Sequence, residues 1–243
     1  MKLFVKPRKA STIALIRDSI QNKGIEVLLM KRHLNDKFLP GYHVFPGGAV
    51  DDRDVPQDAI PDEFLNGLKF ASSEEIMNYF THVICAIRET FEEAGILLAE
   101  SGNGYFSIND PSVYGRFDSY RKMIFNGELD IMELMQRENL VPAYRSIHYL
   151  TRWITPPYSP IRYDTRFFIA AAPDAQETCH DGDELITSEW LEPGKALVMY
   201  RKGNLKLVTP TVSTLQFLSD FQSTTGVIDH MLAGKVSSPA RSF

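Results

Sequence analysis

Arg88-Glu89-Thr90-Phe91-Glu92-Glu93-Ala94-Gly95-Ile96 is the stretch from which both fold and chemistry are read. At about 100° per residue, Glu92 and Glu93 lie three and four positions beyond Glu89 and share its side of a helix. Ile84, Ile87, Phe91 and Ala94 gather on the opposite side as a stripe suited to burial. Cys85 and Ala86, both small, lie one turn earlier on the carboxylate side. Neighbouring carboxylates repel each other even in water, by about a few tenths of a kcal/mol per i,i+4 pair. An oxygen-rich cluster of this kind suits Mg²⁺ or Mn²⁺, which keep several waters and also ligate substrate phosphates. Paired glutamates on a helix also occur as plain solvated surface. What favours the metal reading is the company they keep: Pro46-Gly47-Gly48 upstream, Arg88 adjacent, and Gly95 followed by an apolar residue.

Working outward, Ser72-Ser73-Glu74-Glu75 has the pattern of a helix N-cap with a glutamate three residues on, and Gly95 is a good residue to end that helix. Residues 10–18 and 25–32, rich in Ile, Val and Leu, flank the polar Gln21-Asn22-Lys23-Gly24 and read as a hairpin. A third short strand over 42–45 runs into the Pro-Gly-Gly turn. The stretch 51–70 is acidic, broken by Pro56 and Pro61, and reads as irregular. Helical spacing over 112–139 predicts two helices split near Gly127. Strands follow at 146–154, at 163–171 and around Trp190, then helices at 194–199 and 211–221, and a frayed tail after Ala233. Strands and helices without regular alternation favour a mixed sheet with helices on both faces.

The chain has 243 residues, 44% of them hydrophobic and 23% charged, which fits one large domain carrying insertions at about 55–80 and 100–145. No apolar run approaches the roughly 18 residues needed to span a membrane. Residues 1–8 are basic with no apolar core behind them, so export is not expected. Cys85 and Cys179 make neither a disulfide framework nor a zinc spacing and read as reduced thiols of a cytoplasmic protein. A formal net charge of −5 argues against broad binding to nucleic acid, while a few local cations suffice for a small phosphorylated substrate.

Together these residues resemble the Nudix box, Gly-x5-Glu-x7-Arg-Glu-U-x-Glu-Glu-x-Gly-U, with U a bulky apolar residue. The second half matches at Arg88, Glu89, Glu92, Glu93, Gly95 and Ile96, with Thr90 at the first U position. Counting from Gly48 puts Asp54 where the box has glutamate, and 33 residues separate it from Arg88 where the box has 7, an insertion of 26. Asp51 and Asp52 are alternatives for that acidic position. Leu28-Leu29-Met30-Lys31-Arg32, Lys37, Gly41 and Phe45-Pro46-Gly47-Gly48 follow the spacing of a signature found in coenzyme A diphosphatases of this superfamily, with Met30, His33 and Lys37 as departures. The interrupted box, the helical segment 112–139, Arg152-Trp153-Ile154-Thr155-Pro156 and Asp164-Thr165-Arg166-Phe167-Phe168 resemble the longer, inserted proteins related to the peroxisomal coenzyme A diphosphatase.

The resemblance implies an α/β fold, the Nudix-type α-β-α sandwich with mixed sheet and helical insertions. It also implies metal-dependent hydrolysis of a diphosphate linkage, with coenzyme A or acyl-coenzyme A leading and ADP-ribose-like nucleotides as the alternative. By the same resemblance Glu89, Glu92 and Glu93 bind the metal, Arg88 orients a carboxylate through a salt bridge, and a carbonyl of Gly47 or Gly48 completes the coordination. The general base is Glu89, Asp183 or Glu184. A non-catalytic binding protein on the same fold is the competing reading, and a homodimer is compatible with either.

For substrate binding, Arg162, Asp164 and Arg166 alternate along a predicted strand and share one face, where the arginines would meet phosphate oxygens. The same pattern equally makes a salt-bridge ladder centred on Asp164. Arg32 and Lys37 flank the Gly-Gly turn, and Tyr42, His43, Trp153 and Phe168 are candidates for stacking on a base or for the core. The remaining histidines, His82 and His148 among them, show no metal-ligand spacing.

Overall fold

The computed structural model describes residues 5–20, 24–36, 38–65, 68, 70–102, 104–108, 111–173, 176 and 185–234. Strands β1 (Arg8–Asp18) and β2 (Ile25–Arg32) pair antiparallel with Ile16 opposite Val27, the hairpin expected from their composition. The short strands β3 (His43–Val44) and β4 (Gly47–Ala49) add to β2 and β1 respectively. Helix α1 (Ser73–Ala94) follows two 3-10 turns at Asp52–Asp54 and Asp62–Phe64. A segment comprising β5 (Ala99–Ser101), β6 (Gly104–Tyr105), α2 (Pro111–Phe125), α3 (Ile131–Arg137) and β7 (Val141–Pro142) leads to β8 (His148–Ile154) and β9 (Tyr163–Ala171). The chain then passes through β10 (Leu185–Leu191), α4 (Pro193–Arg201), α5 (Thr209–Leu218) and α6 (Thr224–Leu232).

The main sheet runs β10-β2-β1-β9-β8. It is mixed because β1 and β9 are parallel, with Ser11 beside Arg166, while the other pairs are antiparallel. Side chains alternate across it with period two. Ile13, Leu15, Phe168 and Ala170 face α1 and the 104–147 segment, and Ala14, Ile16, Phe167 and Ile169 face α4 to α6. The result is the helix-sheet-helix sandwich expected from the sequence. The 104–147 segment is no surface appendage, for Leu129, Ile131, Leu134 and Met135 share one core with Ile84, Ile87 and Phe91.

Helix α1 starts where Ser72 accepts a hydrogen bond from the Glu75 N–H at 3.2 Å. Glu75 in turn accepts from the Ala71 N–H at 2.7 Å, one residue before the position a capping box would use. The helix ends at Gly95, whose φ of 69° is left-handed and whose N–H bonds Phe91 O at 3.1 Å. Gly127 likewise separates α2 from α3 with a φ of 73°.

Two features went unread in the sequence. Helix α6 opens at Ser223, whose hydroxyl accepts from the Gly226 N–H, in a stretch between Phe221 and Ala233 for which the sequence predicted no element. The small sheet β6-β5-β7 has strands of two or three residues, too short for periodicity to register. The frayed end called after Ala233 lies, from residue 235 on, outside the described residues. Among the described residues, no helix is long and apolar enough to cross a membrane.

Candidate active site

The last turns of α1 bring Arg88 inward rather than to solvent. Its guanidinium is almost wholly buried and forms a fork with Asp54, Nε to Oδ1 at 2.8 Å and Nη2 to Oδ2 at 3.0 Å. Nη2 also donates to Ala49 O at 3.0 Å, while Nη1 meets Glu89 Oε1 at 2.9 Å and Glu92 Oε2 at 3.1 Å. One arginine thereby ties the strand β4, the acidic turn after it and two of the three glutamates. Asp54 has 0% exposure and is the residue whose role the interrupted box left open. Asp51 serves differently, capping the 52–54 turn and binding Arg53 at 2.9 Å; those hydrogen bonds from Arg53 hold its carboxyl down to about 2.

Glu93 points at the glycine turn and accepts from the Gly47 N–H at 2.8 Å. Glu89 lies directly against Gly48, where a Cβ would collide with its carboxylate, so the turn can approach the helix only as glycine. Burial pushes Glu89 up to about 7, with Arg88 pulling the other way and Glu92 adding repulsion. Burial also raises Glu92, again opposed by Arg88. Among the described residues, no three acidic, histidine or cysteine side chains close on one point as a finished cage. Arg88 holds Glu89 and Glu92, and Gly47 holds Glu93. The donor set nonetheless suits a hard cation: three carboxylates on one helical face, two of them burdened by burial, beside a carbonyl-bearing glycine turn. Cys85 sits behind this group with its Sγ 3.8 Å from Gly48 O, and burial drives its thiol above its ordinary range.

A cleft of about 1340 Å³ opens over the carboxylates. Gly47, Gly48, Arg53, Arg88 and the three glutamates line one part of it. Arg32, Phe38, Tyr42, Trp153, Tyr158 and Tyr200 line others, together with the 207–211 stretch. Arg32 is anchored there by Phe38 O at 3.0 Å and Asp36 at 3.1 Å. Arg32, Gly47, Gly48, Tyr42 and Trp153 thus line the same cleft as the glutamates.

Arg162 and Arg166 do not. The shared face of Arg162, Asp164 and Arg166 is the one turned away from the cleft, which Thr165 and Phe167 line instead. Arg162 staples the chain, donating to Thr155 O at 3.0 Å and Val5 O at 2.6 Å. Asp164 forms the ladder with Arg152, two contacts of 2.6 Å. Arg166 lies toward Tyr79, His82 and Tyr149. Phe168 is core, and His43 is buried outside the cleft lining. Lys37, Asp183, Glu184 and Cys179 lie outside the described residues.

Sequence reasoning missed Arg53 in the cleft wall, and it missed Arg121 of α2. Arg121 donates to Glu92 O at 2.9 and 2.7 Å and to Glu93 O at 3.0 Å, so it caps the helix that carries the glutamates. No local signal marks Arg121, since its partners are 28 and 29 positions away.

The chain matches a family model described as the NUDT19 Nudix domain over residues 56–218. It is 26% identical over 231 residues to the acyl-coenzyme A diphosphatase NUDT19 of Xenopus laevis, covering 81% of this chain and 60% of that protein. It is 30% identical over 193 residues to the putative nudix hydrolase 7 of Caenorhabditis elegans, covering 79% of this chain and 55% of that one. The chain spans 55% to 62% of the length of these curated relatives and their homologues. Among solved structures, a NUDIX hydrolase from Alicyclobacillus acidocaldarius superposes with a TM-score of 0.72 at 27% identity, covering 92% of this chain and 96% of that one.

Proposed function

The chain belongs to the Nudix family, and from that premise we propose that it hydrolyses the diphosphate linkage of a nucleoside diphosphate derivative, foremost coenzyme A or an acyl-coenzyme A. The products are then 3′,5′-ADP and (acyl-)4′-phosphopantetheine. The observation that carries this reading is the placement of Glu89, Glu92 and Glu93 together in the wall of one large cleft. The name of the Xenopus relative supports the choice of substrate.

Glu89, Glu92 and Glu93, with a carbonyl of Gly47 or Gly48, would hold Mg²⁺ or Mn²⁺. When bound, such an ion neutralises diphosphate charge and makes water a better nucleophile. Arg88 acts as a positioning residue, since its fork to Asp54 leaves Nη1 to set the orientation of Glu89 and Glu92. Among the described residues, Glu89 is the candidate to take a proton from the attacking water, since it lies in the cleft wall with Arg88 holding its carboxylate in place. Arg53 and Arg32 supply positive charge along the cleft wall, and Tyr42, Trp153 and Tyr158 offer flat surfaces to a base or a pantetheine arm.

A substrate panel with product analysis at millimolar Mg²⁺ or Mn²⁺ tests this. Release of 3′,5′-ADP and 4′-phosphopantetheine from coenzyme A is the expected result. AMP from ADP-ribose with no cleavage of coenzyme A redirects the substrate, and no turnover of any diphosphate overturns the hydrolase reading.

A further inference from the structure

A second polar cluster lies on the face of the sheet turned away from the cleft. Strand register sets Lys9 beside Asp164, Ser11 beside Arg166, and Arg152 opposite Arg166, so these side chains share one face of β1, β9 and β8. The first half of α1 packs against it, where Asn78 accepts from the Lys9 ammonium at 2.8 Å and His82 meets the Ser11 hydroxyl at 2.9 Å. Tyr79 of the same helix and Tyr149 of β8 lie toward Arg166. None of Lys9, Arg152, Asp164 and Arg166 lines the cleft.

Charges on this face do not balance. Arg152 holds both oxygens of Asp164 at 2.6 Å, so that pair cancels. Lys9 is left with the neutral amide of Asn78 and forms no ion pair among the described residues. Arg166 is partly buried, yet it forms neither an ion pair nor a hydrogen bond with any described residue. Its nitrogens are not sealed from solvent, so a ligand can reach them. Burial draws Arg166 below its usual range, with Tyr149 pulling the other way. His82, lowered by burial to about 4, is neutral at pH 7 and adds no charge. Tyr79, pushed up by burial to about 12, keeps its hydroxyl proton and is a donor. Lys9 and Arg166 are diagonal neighbours on adjacent strands, a separation that two long side chains span.

We propose that Arg166 and Lys9, with the Tyr79 hydroxyl, form a second anion site, separate from the cleft, for a phosphate dianion: inorganic phosphate or a phosphomonoester. Two uncompensated cations match two negative charges. A tetrahedral phosphate also offers oxygens to a planar guanidinium fork and to an ammonium at once. A carboxylate leaves one of the two charges unmatched. The site does not depend on what the cleft binds.

Thermal melts of the full chain with Mg²⁺ at pH 7.5, in phosphate and in chloride of equal ionic strength, test it without requiring turnover. At about ten times its dissociation constant, phosphate is expected to raise the wild-type melting temperature by about 3 °C. Arg166→Gln is expected to lose that rise, and Lys9→Gln to lose about half of it. Lys9 is exposed, so its variant decides the matter alone if Arg166→Gln fails to fold. Stabilisation by general exclusion of the ion, or by binding in the cleft, persists in both variants and overturns the proposal. No rise in the wild type overturns it too, as does an equal rise from acetate, which has no second charge to match. Glycerol 1-phosphate separates the two sources. A rise with both probes assigns phosphomonoesters as well, and a rise with inorganic phosphate alone restricts the site to the free ion.

Discussion

Asp54 shows how much one side chain can carry: fully buried, it gives both oxygens to an arginine that is itself almost sealed from water. Removing one partner of such a pair leaves an uncompensated charge, which typically costs about 3–5 kcal/mol. Arg88 would keep Glu89 and Glu92, so Asp54→Ala is expected at the lower end, about 3 kcal/mol, read as a fall in the urea midpoint at unchanged m-value. Glu89 makes a second prediction at this scale. Burial raises it from 4.5 to about 7, so without metal the folded state holds a proton that the unfolded chain has released. Its contribution to stability is then present below about 4.5 and is lost as pH rises through about 7. His82, lowered by burial to about 4, acts oppositely, with stability lost as pH falls from 6.5. The difference between wild type and Glu89→Gln isolates the glutamate: in EDTA it should decline between pH 5 and 7.5, and saturating Mg²⁺ should remove the decline. A difference that rises with pH contradicts the assignment.

At the scale of elements, α1 is fixed at both ends by different means. Its N-terminus is capped by its own neighbour Ser72, while the C-terminal carbonyls of Glu92 and Glu93 are capped by Arg121 from α2. A cation there also complements the negative end of the helix. Arg121→Ala is expected to cost about 1–2 kcal/mol and to raise the Mg²⁺ concentration for half-maximal activity, because the last turn that displays the glutamates loosens. Calorimetry and a metal titration check the two effects. Loss of stability with an unchanged metal requirement would restrict Arg121 to a structural role. Most of α1 was legible in advance, since its apolar stripe and both caps lie within one continuous stretch of sequence. The Arg121 cap was not, because it depends on how α2 folds back.

Across the whole molecule, the 104–147 segment and the sheet share a core, so they should unfold as one. Leu134 is fully buried on α3 among residues of α1. Leu134→Ala is expected to cost about 2–5 kcal/mol. The loss should appear equally by far-ultraviolet circular dichroism and by the fluorescence of Trp153 and Trp190, which report from β8 and β10. Two separated transitions would show that the segment folds apart from the sheet. The cleft is likewise a property of the whole: its walls come from the loops around residues 32–53, from β8 and the turn after it, and from the start of α5.

Periodicity and capping are local, and by themselves they determined the carboxylate face of α1, its limits at Ser72 and Gly95, the β1–β2 hairpin and the bounds of β9. They also placed Arg162, Asp164 and Arg166 on one face of a strand. Which way that face looks was decided only by tertiary structure. Pairing of β9 between β1 and β8, with α1 over one side, turned Thr165 and Phe167 to the cleft and Arg166 away from it. The same holds for the partners of Arg88. A chain segment fixes its own faces through bond geometry, but what each face meets depends on the distant surfaces that pack together to bury their apolar area.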